Sequence, residues 1–261
     1  MEIVPLATAD AAAVVAADAV EDLVRSRPDA VLGLATGSSP LPLYRELVRR
    51  HRDGEAPPYG SVTVFLLDEY VGLPPGHPQS YRATIHREVT DDLGIDRSRV
   101  HGPDPDPDRL SDAGRRYEEA LLAAGGVDLQ VLGIGSDGHL AFNEPGSSLA
   151  SLTRIKTLTD LTRADNARFF GSQDDVPRHV LTQGLGTILR ARHLLLLASG
   201  PGKARAVAAM AEGPLGASCP ASVMQLHPHV SVLLDDEAAS RLARAGHYRE
   251  VYAGKPVWQG L

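Results

Sequence analysis

The sequence contains a single cysteine, Cys219, among 261 residues, so neither an intrachain disulfide nor a cysteine metal cluster can form. A nucleophilic role for that thiol would need a histidine close in space. His227 is near in sequence, but a buried or incidental thiol is the simpler reading. Aromatic residues make up only 5% of the chain and do not interleave with lysine or arginine. Basic residues number 26 against 33 acidic ones, a net charge of −7. With neither a basic surplus nor a stacking platform, nucleic acid is not an expected partner. No apolar run approaches the length that spans a bilayer, so no membrane association is expected. The opening stretch MEIVPLATADAAAVV has no basic residues ahead of its apolar run, so a signal peptide is not expected either. A cytoplasmic, reducing setting is the expectation. An anionic small molecule remains compatible with the overall charge, because a few placed cations can bind it locally.

What is present is the balance of a globular domain, 43% apolar and 23% charged. Short apolar runs bounded by turn residues occur at Ala30–Leu34, Val62–Leu67, Leu129–Ile134, His193–Ala198 and Val230–Leu234, the pattern of strands buried on both faces. Helix-period segments alternate with them, at Asp10–Arg25, Pro40–Arg52, Ser111–Ala124, Lys203–Glu212 and Asp235–Ala245. Asp10 is the expected N-cap of the first helix. Alternation of this kind predicts an α/β fold: one domain over residues 1–261, an open, mainly parallel, Rossmann-like sheet with helices on both faces. The long polar stretch from Asn143 to about Pro177 interrupts the rhythm and is expected to form a lid or binding insert.

In such sheets ligands sit beyond the carboxyl ends of the strands, so the residues after each strand carry the functional information. The first strand is followed by Thr36-Gly37-Ser38-Ser39-Pro40. Gly37 permits a tight turn, Ser38 and Ser39 can cap the next helix, and free amides at a helix start suit a phosphate. An ordinary capped turn has the same residues. The second strand ends in Asp68-Glu69, whose side chains should point to opposite sides, so that only one can reach a shared ligand. The third is followed by Gly133-Ile134-Gly135-Ser136-Asp137-Gly138-His139, which formally matches G-x-G-x-x-G. That motif should open a helix in the first βα unit, whereas here it lies mid-chain and runs into Asn143-Glu144-Pro145. Gly200-Pro201-Gly202-Lys203 is not a P-loop, since Leu197 and Ala204 occupy two of the required positions. Asp137, His139 and Glu144 read either as ligands of a divalent ion without a recognised spacing, or as an acid–base histidine supported by carboxylates. The second reading is the better one.

Three stretches carry a resemblance: Leu67–Leu73 (LDEYVGL), Gly133–Pro145 (GIGSDGHLAFNEP) and Ser147–Thr157 (SSLASLTRIKT). Together they resemble the glucosamine-6-phosphate deaminase family, nearly end to end from Pro5-Leu6 and more weakly towards the C-terminus. The first half of the Gly133–Pro145 pattern is shared with 6-phosphogluconolactonases of the same fold group, while Phe142-Asn143-Glu144-Pro145 points to the deaminase branch. The resemblance implies the sugar-phosphate isomerase/deaminase type of fold and conversion of glucosamine 6-phosphate and water to fructose 6-phosphate and ammonia. It implies His139 as the ring-opening acid–base, oriented by Asp137 and Glu144, and Asp68 as the group moving a proton between C2 and C1. Thr36, Gly37, Ser38, Arg168 and Lys203 would hold the phosphate, and no metal or organic cofactor is expected. Some relatives are hexamers activated by N-acetylglucosamine 6-phosphate, so a homo-oligomer and an effector site at Ser147, Arg154, Lys156 and Tyr248 are implied too. Glu2 stands where allosteric relatives carry a basic residue, which argues against that effector site. A lactonase-like hydrolase and a non-catalytic sugar-phosphate sensor are the competing readings. Neither needs Asp68 together with the intact Asp137–His139–Glu144 set.

Overall fold

The structure is a computed structural model, and it describes residues 1–256 and 258–261. The first half of the chain runs through β1 (Glu2–Leu6), α1 (Ala9–Ser26), β2 (Val31–Leu34), α2 (Leu41–Arg52) and β3 (Thr63–Leu66). It continues through β4 (Asp68–Tyr70), α3 (Tyr81–Ile85), β5 (Val100–His101), α4 (Leu110–Ala123) and β6 (Leu129–Leu132). The second half holds β7 (Arg154–Thr157), α5 (Asp160–Phe170), β8 (His179–Thr182), α6 (Leu185–Ile188) and β9 (His193–Ala198). It ends with α7 (Ala204–Glu212), β10 (Val230–Asp235) and α8 (Ala245–Ala253).

Among the described residues seven strands form one sheet in the order β1-β10-β9-β6-β2-β3-β5, and every pairing in it is parallel. The reason is visible in β9, where His-Leu-Leu-Leu-Leu-Ala is buried throughout. A strand apolar on both faces has to be covered on both. Leu195 and Leu197 join the core under α1 and α2, with Ala16, Val20, Leu43 and Leu47. Leu194 and Leu196 face the opposite way, towards Tyr117, Leu121, Val207 and Met210 of α4 and α7. A second sheet, β4-β8-β7, is antiparallel and packs Tyr70 and Val180 with Phe142, Leu158 and Val176.

Several local expectations change. Thr8 caps α1, not Asp10: its Oγ1 accepts a hydrogen bond from Ala11 N–H at 3.1 Å, and Asp10 falls in the first turn. Neither Ser38 nor Ser39 caps α2, whose N-cap position is Pro40 with no side-chain hydrogen bond, so the hydroxyls of that loop are not spent on the helix. The helix expected over Asp235–Ala245 is absent. Asp235 ends β10, and its carboxylate accepts from Ala238 N–H at 2.7 Å and from Gly200 N–H at 2.9–3.0 Å. That cross-link holds the chain in turns, and α8 begins only at Ala245.

The order of strands reverses between β2 and β6: the chain builds outward from β2 to β3 and β5, then returns to place β6 on the other side. Loops leaving the carboxyl ends of neighbouring parallel strands diverge at such a point and leave a crevice. The loops after β2, β3, β6 and β9 all open at that end of the sheet.

Candidate active site

The loop after β6 is built around its glycines. Gly135 N–H donates to His139 O (2.9 Å) and Gly138 N–H to Gly135 O (3.0 Å), closing a tight turn. A Cβ on Gly135 would lie 2.2 Å from Cε1 and Nδ1 of His139, so the imidazole is folded flat against a backbone that only glycine leaves bare. Gly138 has φ +87°, and a Cβ there would come within 2.6 Å of Cys219 Sγ. Cys219 is therefore a packing residue beneath this turn, its thiol pushed up by burial. His227 does not pair with it, because its ring nitrogens lie 2.8 Å from the carbonyl oxygens of His229 and Ala191.

Asp137 Oδ1 lies 2.7 Å from His139 Nδ1 and accepts a hydrogen bond from His139 N–H at 3.1 Å. The imidazole contact is close but poorly aligned for a hydrogen bond, which leaves it chiefly an electrostatic one. The histidine side nonetheless holds the Asp137 carboxyl below the usual carboxylate range. Both side chains are partly open, at 46% and 33%. Glu144 does not contact His139 in this structure. Its Oε1 takes hydrogen bonds from the hydroxyls of Thr159 (3.1 Å) and Thr162, at the start of α5. Among the described residues Asp137 alone of the carboxylates meets His139, and no group of three His, Cys, Asp or Glu side chains is gathered for a metal ion.

Asp68 opens β4 immediately beyond β3. It is 6% exposed, and its carboxylate has no hydrogen-bond partner among the described residues. Burial raises its proton affinity well above the ordinary carboxylate value, and the neighbouring Glu69 raises it further. Glu69 faces the other way, into the backbone of α3. Asp68 pairs in register with Thr182 of β8, and Thr182 Oγ1 accepts from Phe142 N–H at 3.2 Å, so the His139 loop is tied to the strand opposite Asp68.

The loop after β2 carries Thr36, Gly37 (φ +101°) and Ser38, of which Gly37 and Ser38 are exposed. Ser39 touches the β6 loop, 3.4 Å from the position a Cβ on Gly133 would take. Lys203 is the N-cap residue of α7, reached from β9 through Gly200-Pro201-Gly202. Arg168 is exposed near the end of α5, with Cζ 4.7 Å from the centroid of the Phe169 ring.

The remaining residues singled out in the sequence lie elsewhere. Ser147 is buried and its Oγ lacks a partner among the described residues. Arg154 and Lys156 sit on β7, the second sheet's edge strand. Tyr248 donates to Glu212 Oε1 at 3.1 Å, and Glu2 is paired with Lys255 at 2.6–2.8 Å.

Three residues that shape the site had no role assigned from the sequence. Tyr44 is fully buried in α2, and its hydroxyl donates to Ala35 O (2.7 Å) and accepts from Ala35 N–H (3.1 Å), fixing the start of the β2 loop. Asn143 is fully buried, and its Nδ2 donates to Leu140 O (2.9 Å) and Gln183 O (2.8 Å). It thereby clamps a turn in which Ala141 takes φ +49°, the only non-glycine positive φ among the described residues. Asp235 anchors the β9 loop that leads to Lys203. The one available signal was polar residues amid apolar ones.

Four loops from adjacent strand ends thus present an imidazole–carboxylate pair, a desolvated carboxylate, a hydroxyl-lined glycine turn and a lysine at a helix start. Residues 5–233 match the family model described as glucosamine-6-phosphate isomerases/6-phosphogluconolactonase. The chain belongs to this family. Over the full length of both chains it is 60% identical to a glucosamine-6-phosphate deaminase of Arthrobacter sp. (strain FB24) and 57% identical to one of Rhodococcus jostii (strain RHA1). Among solved structures, a monomeric glucosamine-6-phosphate deaminase is 41% identical with a TM-score of 0.89, covering 92% of this chain and all of that one. A 6-phosphogluconolactonase from Trypanosoma cruzi shares the fold, with a TM-score of 0.74 at 19% identity over 93% of this chain and 97% of that one.

Proposed function

We infer that this family member is a glucosamine-6-phosphate deaminase, converting glucosamine 6-phosphate and water to fructose 6-phosphate and ammonia. The observation that carries the chemistry is Asp68: a buried carboxylate of raised proton affinity, without a hydrogen bond among the described residues, at the end of β3, with only β2 between that strand and the one whose loop carries the imidazole–carboxylate pair. The full-length identity to relatives of that name supports the substrate.

In this reading the phosphate rests on the amides and hydroxyls of Thr36-Gly37-Ser38, with Lys203 as a point charge. Arg168 joins when the segment around 143–177, proposed as a lid, brings α5 over the crevice, where its guanidinium can meet the phosphate bidentately. His139, with the Asp137 carboxylate against its Nδ1, passes a proton from the anomeric hydroxyl to the ring oxygen and opens the sugar. Asp68 then takes the proton from C2 while the substrate's ammonium group gives one to O1, leaving a neutral enol amine, and Asp68 returns its proton to C1. The resulting C2 iminium is hydrolysed by water, and ammonia leaves. An aldose–ketose shift needs one base over two adjacent carbons, and among the described residues Asp68 has no hydrogen bond to give up before it acts. A cytoplasmic location belongs to the same reading, supported by an unpaired thiol as the sole cysteine.

Ammonia release from glucosamine 6-phosphate, measured with and without EDTA, tests this. Release unaffected by the chelator is expected, and absence of ammonia overturns the reading. Arg154 and Lys156 on β7, with Ser147 and Tyr248, are proposed as a second anion site for an effector. Addition of N-acetylglucosamine 6-phosphate should then lower the half-saturating substrate concentration, and unaffected rate curves would remove that site.

A further inference from the structure

Two acidic residues stand side by side at the start of β4, and the proposed chemistry uses only one of them. Glu69 is 4% exposed, and its two oxygens are fully engaged with backbone. Oε1 accepts from the N–H groups of Tyr70 and Tyr81, both at 2.9 Å, and Oε2 from Arg82 N–H at 3.0 Å. Two of those donors are the first residues of α3, so this one side chain closes the Val71–Ser80 loop and bolts α3 to β4. The pattern demands an acceptor-only group, since an amide in its place would aim a donor at a donor. Asp68, one residue earlier, projects to the opposite side of the strand and has no partner of its own among the described residues. Its position is consequently set by the strand that Glu69 pins.

We propose that Glu69 is a positioning residue for proton transfer at Asp68, anchoring the strand that carries the base and holding a negative charge directly behind it. This rests on the assignment of Asp68 as the base. The charged and titratable groups around the pair are few. Arg82 of α3 acts on Glu69, and Asp68 lies within electrostatic reach of three hydroxyls: those of Tyr70 on β4 and Tyr81 on α3, which bond to each other, and that of Tyr117 on α4, which donates to Leu66 O. All three tyrosines are pushed up by burial and stay neutral at working pH. On β8 the register partners of Asp68 and Glu69 are Thr182 and Leu181, neither ionisable. Burial raises the proton affinity of Glu69 itself, and the N–H groups of Arg82, Tyr81 and Tyr70 with the Arg82 charge oppose that rise by favouring the ionised form. Glu69 is the like charge that acts on Asp68, and removing it should weaken Asp68 as a base.

The test compares pH profiles of kcat/KM for ammonia release in Glu69→Gln, Glu69→Asp, Asp68→Asn and the parent enzyme. In Glu69→Gln the acid limb should move down by about one pH unit, with kcat at least about tenfold lower. In Glu69→Asp, which keeps the charge but shortens its reach, the acid limb should stay while kcat falls by a similar factor. An unmoved acid limb in Glu69→Gln, or a parent-like kcat in Glu69→Asp, overturns the proposal. Should Glu69→Gln fail to fold, Glu69→Asp alone still decides it by its kcat. A silent Asp68→Asn beside parent-like Glu69 variants would sink only the role of Glu69, whereas an active Asp68→Asn would sink the underlying assignment.

Discussion

At the scale of single residues, the site is held in conformations and protonation states that cost stability. Asp68 is a carboxylate whose folded-state proton affinity is raised, so its ionised form is destabilising above the ordinary carboxylate value, and the cost grows as pH rises. Replacing it with asparagine should raise Tm by a few degrees at neutral pH while ammonia release falls by at least about 10²-fold, the scale of one acid–base group. Calorimetry beside the activity assay reads both, and a destabilised or active variant would contradict the assignment. Sugar-phosphate binding should survive, since the loop proposed to hold the phosphate follows a different strand. Gly135 makes a second case. Alanine there would push its Cβ into the His139 ring, 2.2 Å away, and displace the imidazole from Asp137. Displacement on the order of 1 Å typically costs about 10²-fold, so Gly135→Ala should lose that much kcat with a near-normal KM. Asp137 and His139 were both legible in the sequence because they lie on one short loop. The direction of Glu144 was not legible, because proximity in sequence does not tell which way a side chain turns, and the hydroxyls of Thr159 and Thr162 at the start of α5 hold it.

At the scale of elements, the strand–helix alternation located the central strands and helices to within a few residues, because strands buried on both faces read as continuous apolar runs. What the pattern could not supply were the short or edge strands. β1 contains Pro5 and pairs on one side only, where a missing N–H is tolerated. β5 has two residues, and β7 alternates between partly buried and exposed positions, so neither makes an apolar run. Side chains that tie one element to another were equally hidden. Tyr44 reads as one more helical core position, yet its hydroxyl satisfies both backbone groups of Ala35. Tyr44→Phe leaves those two buried groups unpaired, at a cost of about 1–3 kcal/mol each way of counting. Beyond a lowered Tm, it should raise KM for glucosamine 6-phosphate several-fold, as the loop of Thr36, Gly37 and Ser38 loses its fixed start, and leave kcat within about twofold. An unchanged KM would show that the loop is shaped without it.

At the scale of the whole molecule, histidine burial sets a pH limit. His193 is 7% exposed at the start of β9, stacked on His229 with ring centroids 3.7 Å apart. Burial first, and then His229 and His227, depress it from 6.5 to about 3. The unfolded chain takes up that proton near pH 6.5 and the folded chain does not until about pH 3, so stability falls as pH drops through that window. Carboxylates that the fold holds low, such as Glu46 at about 2 beside Arg49 and Arg50, lose their contribution only below the ordinary carboxylate range. A decline in Tm between pH 6.5 and 5 is therefore the signature of the histidines, and His193→Gln should flatten it. An equally steep decline in that variant would assign the effect to other groups.

The two sheets also differ in how they end. The large one finishes in β1, carrying a proline, and in the two-residue β5, while the small one finishes in β7 with Arg154 and Lys156 on its rim. Open strand rims recruit strands from other molecules, and brevity, proline and cationic side chains each deter that recruitment. Arg154 and Lys156, partly buried beside the exposed Ile155 and Thr157, put charge of that deterring kind on β7 whether or not an effector ever binds them. Exchanging both for threonine should show first in the cell, as protein lost to inclusion bodies.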